Sequence, residues 1–210
     1  MHVYTLEEGS RLVRAARHTI ELSLKSPYFK RDDAAILTKD LTERDGVFVT
    51  LEHYPTRALR GCIGFPMAVA PIGEAVIDAA KAAAFEDPRF VQVSHKELDR
   101  LLIEVSVLTC PEEITGHAES RYKMIKVGCD GLIAKYGMHE GLLLPIVAVE
   151  QGWSARQFLD EVCVKAGISA NSWMQPSVKL FSFQTQVFRE EEPGGKITEA
   201  GPARRGRQSS

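Results

Sequence analysis

Among the four cysteines, Cys62 alone has a guanidinium two residues away, in the run Leu59-Arg60-Gly61-Cys62-Ile63-Gly64-Phe65-Pro66. In an extended chain alternate residues share a face, so Arg60 and Cys62 point to one side, and a neighbouring guanidinium favours the thiolate that nucleophilic or redox chemistry needs. Gly61 and Gly64 bracket the thiol. Glycine within a strand marks a bulge or a close approach, here read as room for a ligand at the backbone. Arg60 and Cys62 are thus catalytic candidates and Gly61 and Gly64 binding candidates. The bland reading stands beside this one: Cys62 is a small buried hydrophobe and Arg60 half of a structural ion pair.

Two further places carry chemistry. In Phe85-Glu86-Asp87-Pro88-Arg89-Phe90 a proline stops the preceding helix, and the turn either offers Asp87 and Arg89 to a ligand or simply pairs them locally. Glu104 interrupts the apolar run LLIEVSVLT, and a carboxylate there must be paired, protonated or wet. It either pairs Arg60 or acts as a base.

Other chemistries find no pattern. No CxxC, HExxH or HxH is present, and His53, His95, His139 and Cys62 fall on separate predicted elements, so no metal is expected. GCDGLIAKYG matches neither phosphate-loop pattern, and no cofactor is expected. With 26 Lys+Arg against 28 Asp+Glu, charge gives no support for nucleic acid. No apolar run is long enough to span a membrane, and the amino terminus lacks a signal-like apolar core. Together with scattered free thiols, this reads as a cytoplasmic protein.

Periodicity supplies the elements that must hold these residues. Thr5 and Glu8 form a capping-box pattern ahead of Leu12, Ala16, Ile20 and Leu24 at helical spacing. GVFVTLE alternates like a strand and makes a hairpin with Leu59–Gly64. Pro71 opens an Ala-rich helix ending at Asp87-Pro88, and Leu101–Thr109 reads as a buried strand. GLIAKYG and GLLLPIVAVE read as extended segments around a turn at Met138–Glu140. Ser154 opens a helix with Phe158, Leu159, Val162 and Ala166 on its apolar stripe, and VKLFSFQTQVF is the last strand. Cys110, Cys129 and Cys163 read as packing residues. Only three clear helices among these strands give an α+β class: a mixed, largely antiparallel sheet flanked by helices, in two unequal lobes. Residues 191–210, rich in Gly, Pro and charge, read as a flexible tail after a domain spanning 1–190.

LRGCIG, AVIDAAKAAAFEDPRF, EVSVL, GLLLPIVAVEQGW and FLDEVCVKAG together resemble the AMMECR domain family, also called protein A of the AmmeMemoRadiSam system. The resemblance covers roughly residues 5–190, with Leu59–Gly64 as the family's signature. It implies an archaeal-type α+β protein with the signature near a cleft between lobes, and no assigned reaction. By family association, partners would be a Memo-like protein and a radical-SAM protein; a role in transcription, translation or repair through protein or RNA binding is the other association. The resemblance favours an enzyme or enzyme-system component acting at Cys62 on a small or modified substrate, with Cys62 the fastest of the four thiols to alkylate. Ile146 and Val147 stand where the family pattern leads one to expect a glutamine.

Overall fold

A computed structural model of the chain describes residues 3–26 and 28–200. The chain divides into two compact units, one built from residues up to Cys110 together with Gln186–Ala200, the other from Pro111–Thr185. The class is α+β, as the sequence reading had it, with every strand pairing named below antiparallel.

The first unit starts with α1 (Leu6–Lys25). The Thr5 side chain accepts from the Glu8 N–H and the Glu8 carboxylate from the Thr5 N–H, so the expected capping box is present. After a short α2 (Arg31–Ala35) come β1 (Gly46–His53) and β2 (Ala58–Phe65), paired as the expected hairpin, and then α3 (Ile72–Phe85). Strand β3 (Leu101–Leu108) lies on the other side of β1. Val47, Val49 and Leu51 of β1 and Ile103, Val105 and Val107 of β3 face a single core shared with Leu12, Ala16 and Ile20 of α1 and Val76, Ala80 and Ala83 of α3. The opposite face of β1 and β3 carries Thr50 and Glu104.

The alanines of α3 let the helix lie close on the sheet, and Gly61 sets how close. A Cβ built on Gly61 would stand 2.3 Å from the Ala83 carbonyl oxygen, so helix backbone occupies the space a side chain would need. Gly64 is similar, its missing Cβ falling 2.2 Å from the Val47 carbonyl oxygen. Both glycines therefore serve packing, which corrects their reading as openings for a ligand.

The second unit contains β4 (Glu112–Glu113), α4 (Ala118–Met124), β5 (Asp130–Tyr136), β6 (His139–Leu143), α5 (Pro145–Glu150) and α6 (Ala155–Lys165). Strand β5 lies between β6 and the first half of β7 (Lys179–Glu190), over a core that includes Phe158, Leu159, Val162 and Trp173. GLLLPIVAVE is not extended throughout: Pro145 takes the first helical turn, where its missing N–H costs nothing, and α5 follows. Cys163 is buried as expected, whereas Cys110 and Cys129 are exposed and are not packing residues.

The second half of β7 belongs to the first unit and pairs with β8 (Ile197–Ala200). Regular structure thus continues past Glu191, where the tail was expected to begin. Pro193, Gly194 and Gly195 make the connection between the strands, and Ile197 is buried against the first core. Residues 201–210 of the expected tail lie outside the described residues.

Gly61→Ala should force α3 off β2 or bend β2 away. Overpacking of this kind costs about 1–3 kcal/mol, and the melting temperature should fall by several degrees. An unchanged melting temperature would show that the Ala83 carbonyl does not limit the approach.

Candidate functional site

The hairpin register places Thr50 opposite Cys62, and the β1–β3 register places Thr50 opposite Glu104. Directly opposed residues in antiparallel strands share a face, so Cys62, Thr50 and Glu104 form one row across three strands. The Thr50 hydroxyl donates to Cys62 Sγ at 3.3 Å.

The main chain of Cys62 is held from the side away from β1. Asp87, one residue past the capping position of α3, accepts the Cys62 N–H through Oδ2 at 2.9 Å, and Arg89 Nη2 donates to the Cys62 carbonyl at 3.2 Å. Asp87 and Arg89 are bound to each other, with Arg89 Nε at 3.0 Å from Oδ1 and Nη2 at 2.7 Å from Oδ2, and Asp87 Oδ1 also accepts the Arg89 backbone N–H at 3.1 Å. The turn made by Pro88 thus pairs the two residues locally, as one of the two readings of the sequence had it, and sets both against the main chain of Cys62.

Arg60 behaves differently from the strand expectation. Leu51 pairs with Gly61 and Glu52 with Leu59, so Arg60 is the extra residue of a bulge, and simple alternation does not carry through it. Arg60 is buried, only 5% exposed, and its guanidinium is bound to Glu97: Nε donates to Oε1 at 2.8 Å and Nη2 to Oε2 at 3.4 Å. Glu97 also accepts from the backbone N–H and hydroxyl of Ser94, both at 2.9 Å. Arg60 therefore pairs with Glu97 rather than Glu104, and the cation acting on the thiol is Arg89.

Those partners set the protonation states. Burial pushes the Cys62 thiol above its ordinary value; the Thr50 hydrogen bond and the Arg89 charge pull it down, while Glu104 and Asp87 push it up. The net is upward, so at neutral pH Cys62 is a thiol, which corrects the expected thiolate. The Arg89 hydrogen bonds, against the opposing effect of burial, hold Asp87 well below the usual carboxylate range. Arg60 and then Ser94 lower Glu97 to about 2 from 4.5, again against burial. Cys163 is pushed up to about 11 by burial. Among the described residues no group of three His, Cys, Asp or Glu side chains is placed to hold a metal ion.

Glu97, Thr50 and Phe90 were not singled out from the sequence. Ser94-His95-Lys96-Glu97 carries the Ser-x-x-Glu capping pattern, which could have pointed to Glu97. Thr50 follows from the hairpin register once it is known. Phe90 lies next to Arg89, and its ring centroid is 5.9 Å from the guanidinium carbon of Arg60 and 5.5 Å from that of Arg89.

The AMMECR1 family model matches residues 13–188, a span that takes in the whole of this site. The chain belongs to the AMMECR1 family. A Thermococcus gammatolerans protein is 47% identical over 194 residues, covering 91% of this chain and 94% of the relative. Protein MJ0810 of Methanocaldococcus jannaschii is 43% identical over 200 residues, covering 95% and 98%. The crystal structure of the uncharacterised Pyrococcus horikoshii protein PH0010 superposes with a TM-score of 0.86 at 46% identity, covering 92% of this chain and 97% of that one. The AMMECR1 chain thus shares its fold with PH0010 over most of its length, and none of these three names carries an activity.

Two outcomes follow for this AMMECR1 site. Iodoacetamide at pH 7 should label exposed Cys110 and Cys129 before Cys62, reversing the order the sequence suggested. The Cys62 rate should climb only above pH 9, and Glu104→Gln should raise it at pH 8 by removing a charge that opposes the thiolate; peptide-resolved mass spectrometry measures each rate. Glu97 ionises more readily when folded, so its stabilising contribution is full above pH 4.5 and is lost as pH falls toward about 2. Acid unfolding of Glu97→Gln should lack that part of the pH dependence.

Proposed function

We propose that the chain is a cysteine-dependent enzyme, or the enzymatic component of a multi-protein system, in which Cys62 reacts with a small or modified substrate. The observation that carries this reading is the grip on Cys62: a carboxylate accepts its N–H and a guanidinium donates to its carbonyl, while its thiol accepts from the Thr50 hydroxyl, with Glu104 next in the same row. A residue wanted only for its bulk needs no such fixing of the main chain. Precise placement of a reacting atom can supply a large part of a rate acceleration.

The thiol is neutral at rest, so a nucleophile appears only when its proton leaves. Glu104 is the candidate acceptor: the Thr50 hydroxyl, which donates to Sγ at rest, would turn to take the thiol proton while passing its own proton to the Glu104 carboxylate in the same row. Binding of a substrate that shields Glu104 from water would favour that transfer. Asp87 and Arg89 act here as positioning residues and Arg60 as a residue bound to Glu97.

The resemblance that associates the family with a radical-SAM protein and a Memo-like protein supports reading the chain as one member of a set. Four free cysteines, two of them exposed, suit a reducing cytoplasm. Among the described residues no helix is long and apolar enough to cross a membrane.

Incubating the protein with the low-molecular-weight fraction of a cell extract, followed by intact-mass measurement, should reveal an adduct that maps to Cys62. Cys62→Ala should abolish it, and Glu104→Gln should slow its formation about tenfold or more, within the usual range for a general base, the reverse of its effect on iodoacetamide, which reacts with thiolate already present in solution equilibrium. An adduct that forms equally on Cys110 and Cys129, or none at all, would leave Cys62 as a packing residue.

A further inference from the structure

Arg60 is the one described residue with a buried side-chain nitrogen or oxygen that has no hydrogen-bond partner, and that atom is Nη1. The rest of the guanidinium is well served, since Nε and Nη2 take the two oxygens of Glu97. Buried donors are almost always paired, and one left without an acceptor is costly. Bulging β2 at Arg60 and fixing its carboxylate partner with Ser94 is a large investment for an arginine used on one side only.

What lies against Arg60 is a half-buried aromatic ring. Phe90 sits 5.9 Å from the Arg60 guanidinium carbon and 5.5 Å from that of Arg89. It belongs to the irregular stretch between α3 and the 3-10 turn at Leu98–Arg100, where the next residue, Val91, is 82% exposed. Rotation of a ring held by such cation–π contacts, in a stretch free of regular structure, would uncover the side of Arg60 that it touches. Its contacts and the hydrogen bond that Nη1 lacks are of the same order, so exchanging one for the other is nearly balanced.

Charge selects the ligand. Arg60 is matched by Glu97 and Arg89 by Asp87, so neither guanidinium has an unneutralised charge to offer an anion. Glu104, two strands from Cys62 in the same row, adds negative charge to the neighbourhood. The remaining attraction is a directed N–H beside an aromatic face, which suits an uncharged planar group with an acceptor oxygen.

We propose that Arg60 is a ligand-binding donor whose Nη1 receives the oxygen of an uncharged amide- or urea-type carbonyl when Phe90 swings off the guanidinium. Nothing in this requires Cys62 to react, so it stands or falls apart from the thiol reading.

The test is an NMR titration of the full chain with N-methylacetamide as the uncharged probe and acetate as the anionic one, following the Arg60 Nε–H and Phe90 ring resonances. N-methylacetamide should shift both saturably and bind more tightly than acetate. Phe90→Leu, which removes the cover and leaves Arg60 and Glu97 in place, should tighten amide binding about tenfold, equivalent to about 1.4 kcal/mol. Arg60→Lys, which has no guanidinium Nε–H, should abolish the Phe90 ring shift while the backbone amide spectrum remains that of the folded protein. Absence of a saturable shift in both the parent and Phe90→Leu proteins would overturn the proposal. So would tighter binding of acetate, or amide binding that survives Arg60→Lys.

Discussion

The contact between the Ala83 carbonyl and the backbone at Gly61 determines where everything else around Cys62 can be. Helix α3 ends at Phe85, two residues after that contact, and Asp87 comes two residues later still. With the helix backbone resting directly on β2, a chain this short already reaches the neighbouring residue, Cys62, and a carboxylate completes the span. Raising the helix by one methyl group would carry Asp87 away from the Cys62 N–H and with it Arg89. The alanines of α3 serve the same end, because larger side chains on that face would lift the helix as surely as a side chain at Gly61.

Two carboxylate–guanidinium pairs then divide the labour. Asp87 with Arg89 holds the main chain of Cys62, and Glu97 neutralises the buried guanidinium of the bulged Arg60. Each carboxylate is kept ionised despite its surroundings, and each guanidinium is consequently less available to the thiol. Burial therefore governs Cys62, the Arg89 charge being offset by Asp87 and Glu104. A neutral resting thiol resists oxidation better than a thiolate would.

Most of the framework was legible in the residues. The capping patterns at Thr5 and Ser154, the alternation of β1 and the apolar run of β3 depend on local chemistry, and the structure contains each of them. Short α2 and α4 have too few turns to display a periodicity, and α5 hides in an apolar run that fits a strand equally well until Pro145 is read as a first helical residue. At the site, Cys62, Asp87 and Arg89 were found from the sequence and are brought together. The partner of Arg60 was not, because strict alternation has no means of foreseeing a bulge, and one added residue changes the partner available to the side chain. Gly61 and Gly64 signalled a close approach correctly; sequence does not say whether a ligand or the protein's own backbone makes it.

The Asp87–Arg89 pair also has a meaning for how this surface meets other chains. Strand β2 has β1 along one side, and a strand's other side ordinarily presents N–H and C=O groups that will accept any extended segment. At Cys62 a carboxylate takes the place of a neighbouring strand's carbonyl and a guanidinium that of its N–H, so two side chains impersonate the missing strand. An incoming peptide could add itself there only by displacing a buried, ionised aspartate. The margin of the sheet is thereby closed to edge-to-edge aggregation at Cys62.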